Sequence, residues 1–379
     1  MRVFENLNVD FMGKRKLFYY ISGLLIILSL IGIFVRGMQY GIDFKGGSEI
    51  GIQFTKSIEI ADVRNQVDKI GLGNVEVKTF GGSTGVLIRT DAQEIPSREI
   101  PKVFDRINTI ISNTYPGVTG TIIDSSNNSI TFEFPDSSIA EVMNNKLYQA
   151  GFQTAKVSEE PSNKGVVVRI GIADWIKENL TSHYTDNPFT VLKEEKVGPK
   201  IGEELKTDAL IAVFLSLVVI LIYLGFRFKF AFAIGAVAAL FHDVFITLGI
   251  FAALYGVIPG LNLEISISIV AAFLTLTGYS INDTVIVFDR VREDVKIHKS
   301  LPLEVNMNRA INKTMSRTII TGLTTFIVVI ILMFIGGEVL RGFAFALFIG
   351  IIIGTYSSIF VASAFVLEYD KRTKGKIEF

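Results

Sequence analysis

Six stretches of this chain stay apolar for about the 20 residues that a helix needs to cross a bilayer core, and lipid leaves such a segment little choice but to fold as a helix. They are Leu17–Val35, Ala209–Phe226, Ala231–Tyr255, Leu263–Phe288, Thr318–Ile335 and Gly342–Leu367. The sequence therefore reads as a polytopic α-helical membrane protein with six transmembrane helices. Arg36-Gly37-Met38-Gln39-Tyr40 follows the first stretch and is no small-residue cleavage site, so that stretch reads as a retained helix.

The positive charges orient the spans. Lys14, Arg15 and Lys16 precede the first, and Arg227 and Lys229 lie between the second and third. Arg290, Arg292, Lys296, Lys299, Arg309 and Lys313 fill a loop between the fourth and fifth, and Lys371, Arg372, Lys374 and Lys376 close the chain. The opposite loops, Gly256–Asn262 and Gly336–Arg341, offer only Arg341. The expectation is N-in and C-in: a cytoplasmic segment at 1–16, helix 1 at 17–35, an external domain at 36–208, helices 2–6 within 209–367, and a cytoplasmic tail at 368–379.

The external segment is polar and repetitive. Glu49-Ile50-Gly51-Ile52-Gln53-Phe54 alternates as Ser129-Ile130-Thr131-Phe132-Glu133-Phe134 does. Ala61-Asp62-Val63 and Ala140-Glu141-Val142 each open a helical pattern that ends near Gly71 or Gly151. Strands at Val75-Glu76-Val77-Lys78 and Ala155-Lys156-Val157-Ser158 follow, then Gly-initiated strands at Gly85 and Gly165 and second helices at Ile100–Asn113 and Ile172–His183. That is strand–helix–strand–strand–helix–strand twice, which predicts a large external α+β domain of two ferredoxin-like repeats, at about 46–124 and 126–197. No nucleophile–base pair, phosphate-cradling loop or metal-ligand spacing occurs in it, so it reads as a binding or coupling module. In Tyr40-Gly41-Ile42-Asp43-Phe44-Lys45-Gly46-Gly47-Ser48 the paired glycines read as a tight turn opening the first strand.

Within the spans, Asp283 interrupts an otherwise apolar run in Gly278-Tyr279-Ser280-Ile281-Asn282-Asp283-Thr284. A charge in lipid is costly, so it faces a protein interior and marks either an ion or proton pathway or a helix–helix fastening. At helical spacing Asp283 shares its face with Tyr279 and Ser280; on the next span Arg317 lines up with Thr314, Thr321 and Thr324. Burial disfavours the carboxylate's charge and a guanidinium beside it favours that charge, so movement of Arg317 would decide the proton on Asp283. Arg317 also reads as a residue that snorkels to the lipid surface. His242-Asp243 in the third span reads either as a relay or as a hydrogen-bonded packing pair. Ala346, Gly350, Gly354, Ser358 and Ala362 form a small-residue ladder suited to close helix packing, read as assembly rather than chemistry.

Lysine plus arginine and aspartate plus glutamate both count 37, so no net charge points to a nucleic-acid partner. The absence of cysteine excludes disulfides and thiolate metal sites.

Several motifs resemble the SecF family of the bacterial SecDF protein-export machinery, within the resistance–nodulation–division superfamily. They are Gly41–Ser48 after the first span, Val197-Gly198-Pro199-Lys200-Ile201-Gly202-Glu203-Glu204-Leu205 before the second, and His242-Asp243-Val244 in the third. The longest is the run from Gly278 through Val285-Ile286-Val287-Phe288-Asp289-Arg290-Val291-Arg292-Glu293, with Arg317-Thr318-Ile319-Ile320-Thr321 after it. The resemblance implies six helices that pair with six of SecD in a bacterial inner (plasma) membrane, and association with the SecYEG channel, with YajC and SecA as indirect partners. It implies use of the proton-motive force to draw unfolded exported polypeptides outward, with no cofactor, no metal and no catalytic residue. H⁺ and Na⁺ both remain open as the coupling ion. On this resemblance Asp283 is the proton-pathway carboxylate and Arg317 its partner. Beside them, Asn282, Tyr279, Ser280, Thr321, His242 and Asp243 are candidate supporting residues by their position, and Asp43, Gly46 and Gly47 form the family motif near helix 1. Membrane lipids are further partners. The external region looks enlarged beside the family's usual pattern. The rival readings are a half-size exporter of lipids or small amphiphiles and a passive scaffold subunit of the translocon.

Overall fold

The computed structural model describes residues 7–126, 128–258 and 260–373. Lys374 and Lys376 of the C-terminal charge cluster lie outside them, as do residues 1–6 of the N-terminal segment and position 259 in the loop Gly256–Asn262. Two units emerge, one from Ile42 to Glu204 and one from the segments before and after it.

In chain order, α1 (Arg15–Arg36) is followed by the short α2 (Ile42–Lys45), β1 (Gly47–Phe54), α3 (Ile60–Lys69), β2 (Val75–Thr79), β3 (Gly85–Thr90) and α4 (Ile100–Thr114). Then come β4 (Thr121–Ser125), β5 (Ser129–Glu133), α5 (Ser137–Gln149), β6 (Gln153–Lys156), β7 (Gly165–Arg169), α6 (Ile172–His183) and β8 (Phe189–Val197). Five long helical segments complete the chain: α7 (Pro199–Arg227), α8 (Phe230–Leu254), α9 (Ile267–Ile297), α10 (Leu303–Ile335) and α11 (Gly337–Ser357), the last running through a π-helical turn (Ser358–Ala362) into α12 (Ser363–Arg372).

The α+β unit has two antiparallel sheets, ordered β2-β3-β1-β8 and β4-β5-β7-β6. Each has the ferredoxin-like order, but their fourth strands are exchanged. β4, expected to close the repeat 46–124, pairs antiparallel with β5, while β8 returns to pair with β1. The boundaries 46–124 and 126–197 therefore do not bound folded units. The second unit, β4 through α6, is a circularly permuted ferredoxin-like fold inserted before the last strand of the first. The physical reason is that the fourth strand is an edge strand held by one neighbour. Either first strand offers it the same antiparallel ladder, so local sequence does not choose between them.

One apolar core serves both sheets. Ile50, Ile52 and Ile88 of the first and Ile130, Phe132 and Val168 of the second are buried with Val67, Ile107, Met143 and Leu180 from the helices. Each such side chain stabilises the fold by about 1.5–3 kcal/mol relative to exposure. Across the first sheet, Glu49 and Arg89 stand opposite each other in register, both buried. Arg89 Nε donates to Glu49 Oε2 at 2.8 Å, and Lys193 Nζ of β8 donates to Glu49 Oε1 at 2.8 Å. The paired glycines open β1 with φ of 75° at Gly46 and 123° at Gly47, angles that favour glycine. A side chain at Gly47 would also run into the Thr90 carbonyl.

Among the described residues six helices are long and apolar enough to cross a membrane, which makes the chain a multi-pass membrane protein. Apolarity marks the crossing and not the helix ends, so several helices overrun their apolar stretches. α7 starts at Pro199, α9 continues to Ile297 and α10 starts at Leu303. The charged loop between the fourth and fifth spans thus shrinks to a short turn between two helical extensions. Gly336–Arg341, read as a loop, is mostly the first turn of α11. Before α10's span, Asn308 and Asn312 clasp the N-terminal segment: Asn308 accepts from Met12 N, and Asn312 accepts from Val9 N and donates back to Val9 O. α1 meets α8 where small residues allow close approach, Ser29 and Gly32 against Gly249 and Ala253.

Candidate functional site

α8 carries small, buried residues at Ala233, Ala236, Ala239 and Gly249, so neighbouring helices come close to its backbone. That proximity brings His242 and Asp243 into contact with α9 and α11. Asp243 Oδ2 accepts from Ser280 Oγ of α9 at 2.6 Å and from Ser357 Oγ of α11 at 2.7 Å. Asp243 Oδ1 lies 3.0 Å from His242 Nδ1, which donates to it when that nitrogen carries the proton. Next to this cluster, Thr284 of α9 and Ser358 share a hydrogen bond of 2.8 Å between hydroxyls. Asp243, Ser280, Thr284, Ser357 and Ser358 are all buried.

Ser358 starts the π-helical turn. Such turns widen a helix by one residue and leave carbonyls to be satisfied by other donors. Here Ser363 Oγ donates to Ser358 O at 2.9 Å. The small-residue ladder does pack closely, against α9 at Gly350 and Gly354 and against Gly235 of α8 at Ala362, all in this same chain. A Cβ at Gly354 would lie 3.1 Å from Ser280 Cβ, and one at Gly350 would strike Leu276. Ser358, assigned to assembly by the sequence, joins the polar cluster instead.

Asp283 contrasts with Asp243. It is 1% exposed, and its Oδ2 has no hydrogen-bond partner among the described residues. Thr318 Oγ1 and His242 Nε2 are also buried and unpartnered among them. Leaving a buried polar atom unpaired costs about 1–3 kcal/mol, so a bare carboxylate oxygen here works against stability. Arg317 is exposed on α10 and makes no ion pair with Asp283 among the described residues, though it stands within electrostatic reach. Asn282 is exposed on α9, and Thr321 is half-buried on α10. The structure thus joins Ser280, His242 and Asp243 in one cluster and leaves Asp283 bare. Asp43, Gly46 and Gly47 belong to the α+β unit.

Sequence reasoning missed Ser357 and Thr284 as site residues. Two adjacent serines after Tyr356 in an apolar helix were the available signal, since hydroxyls at that depth find partners.

Six membrane helices, a two-sheet α+β unit after the first of them and a polar cluster inside the helices define a protein of the SecD/SecF class. The family described as "Protein export membrane protein SecD/SecF, C-terminal" matches residues 176–372, and the SecD/SecF GG motif matches residues 31–58. A protein translocase subunit SecF of Rhodothermus marinus is 38% identical over 376 residues, covering 99% of this chain and 98% of the relative. One from Calditerrivibrio nitroreducens is 36% identical, covering 95% of this chain and 93% of its own. The crystal structure of SecDF from Thermus thermophilus, described as a translocon-associated membrane protein, superposes with a TM-score of 0.68 at 30% identity. That match covers 97% of this chain, which spans only 39% of the SecDF chain. The chain belongs to the SecF family of protein translocase subunits. Because these matches cover nearly the whole chain, the α+β unit that looks enlarged is a region these relatives align with.

Proposed function

We propose that this protein is an accessory subunit of Sec protein export that converts a transmembrane proton gradient into movement of exported polypeptides. It works in a bacterial inner (plasma) membrane beside SecD and the SecYEG channel, with YajC and SecA as indirect partners. It makes and breaks no covalent bond and needs no cofactor. The observation that carries this reading is the bare carboxylate: Asp283 Oδ2 is buried in the fourth membrane helix and unpartnered, with Arg317 free of any ion pair to it among the described residues. Such a group takes up a proton at little structural cost. It binds a guanidinium when the proton leaves, so its charge state biases how α9 sits against α10. Asp243 already accepts from two hydroxyls and has His242 beside it, so it serves as the fixed point for that motion.

The test uses inverted vesicles containing the channel, SecD and this chain. ATP drives a precursor partway, ATP is removed, and a proton gradient is imposed. Wild type completes transport and Asp283→Asn does not, while both assemble with SecD. Equal completion by both would make Asp283 structural and favour a scaffold. A response to sodium in place of protons would keep the machine and change the ion.

A further inference from the structure

At the end of the helices that the positive charges place in the cytoplasm, a cavity of about 350 Å³ opens between the α7–α8 turn and the extension of α9. We propose that it binds the phosphate headgroup of an anionic phospholipid. Three cations line it: Arg227, Lys229 and Arg292. Arg227 Nη2 bonds Asp289 at 3.2 Å, and the nearby Glu293 is engaged by Arg290 at 2.6 Å. Lys229 and Arg292 have no acidic partner among the described residues. The cavity thus carries three positive charges against one carboxylate, a surplus that recruits an anion.

Its apolar lining says which kind of anion. Phe228 and Phe232 form its inner wall, edge-on to the buried Phe288 at centroid distances of 6.2 and 4.8 Å. Phe226, 90% exposed, stands at the mouth beside the lipid-facing side of α7. Cations over a phosphate with aromatic rings at the level of the upper acyl chains is the chemistry of a headgroup, and a free phosphate would leave those rings without a ligand.

The full chain is placed in nanodiscs of phosphatidylcholine doped with phosphatidylglycerol. Lipid retained on gentle detergent extraction is then counted by native mass spectrometry. Three forms are compared: wild type, Lys229→Gln with Arg292→Gln, and a control of equal charge loss, Lys296→Gln with Lys299→Gln, which lies outside the cavity. Wild type retains phosphatidylglycerol over phosphatidylcholine. The cavity pair lowers that preference roughly twenty-fivefold, because each of its two cations near an anionic surface contributes on the order of fivefold, and the control does not. The single variant Lys229→Gln, at an exposed position, keeps the test open should the pair fold poorly; it loses part of the preference. Equal losses in both pairs would mean a diffuse surface field and overturn the site. Displacement of phosphatidylglycerol by millimolar inorganic phosphate would mean a free-phosphate site and overturn the lipid assignment.

Discussion

Ser280 donates its hydroxyl to Asp243 Oδ2 at 2.6 Å, one turn before Asp283 on the same helix. Ser357 donates to the same oxygen, so a single carboxylate ties α8, α9 and α11 together. The two membrane carboxylates therefore have opposite characters: Asp243 is saturated with donors, and Asp283 is bare. The saturated one fastens α9 to α8 and α11 one turn from the bare one.

Removing that fastening destabilises the membrane unit. Asp243→Ala leaves the buried Ser280 hydroxyl without its acceptor and Ser357 with only the Gly354 carbonyl, at a cost of about 1–3 kcal/mol. Thermal unfolding of the purified protein in detergent will show a lower midpoint. Asp243→Asn retains one acceptor oxygen and gives a smaller drop.

Asp283→Leu behaves in the opposite way. It removes an oxygen that is already unsatisfied and replaces it with a side chain that packs, so the midpoint holds or rises by the equivalent of about 1–3 kcal/mol. Gradient-driven export is lost at the same time. A variant more stable than wild type but inactive separates a functional carboxylate from a structural one, and a large destabilisation would show that Asp283 is a fastener after all.

The GG motif acts through backbone geometry. Gly47→Ala forces a left-handed φ of 123° on an L-residue and presses its Cβ onto the Thr90 carbonyl. The substitution costs more than about 1 kcal/mol, confined to the α+β unit. Trp175 is the chain's only tryptophan and is buried in α6, so its fluorescence reports unfolding of that unit alone.

The six spans were legible because apolarity summed over a whole helix overwhelms any local exception. Asp283 was legible for the converse reason, as a charge where none is expected. The ends of α9 and α10 were not, because polar residues such as Arg292 and Asn308 continue a helix as readily as they leave one. The ferredoxin-like pattern was readable up to the fourth strand of each repeat. The exchange of β4 and β8 was not, since a strand's partner is settled by distant chain and not by its own alternation. Ser358 hid in a ladder of small residues and Ser357 beside it, since a hydroxyl in an apolar helix packs as readily as it hydrogen-bonds; only the neighbouring helices decide that both meet polar partners.

The ion cluster on the first sheet makes the α+β unit sensitive to alkali. Burial disfavours the charge on Lys193, but Glu49 and Glu195 beside it outweigh that and hold its ammonium above the ordinary value of 10.5. A group whose folded value is raised lends stability that is complete below the unfolded value and disappears as pH climbs through the folded one. Trp175-monitored denaturation of the full chain will therefore show stability falling above about pH 10.5, more steeply in wild type than in Lys193→Gln. In the variant, Glu49 keeps Arg89 and loses only its titrating partner, so parallel pH profiles would mean that Lys193 contributes nothing to the fold.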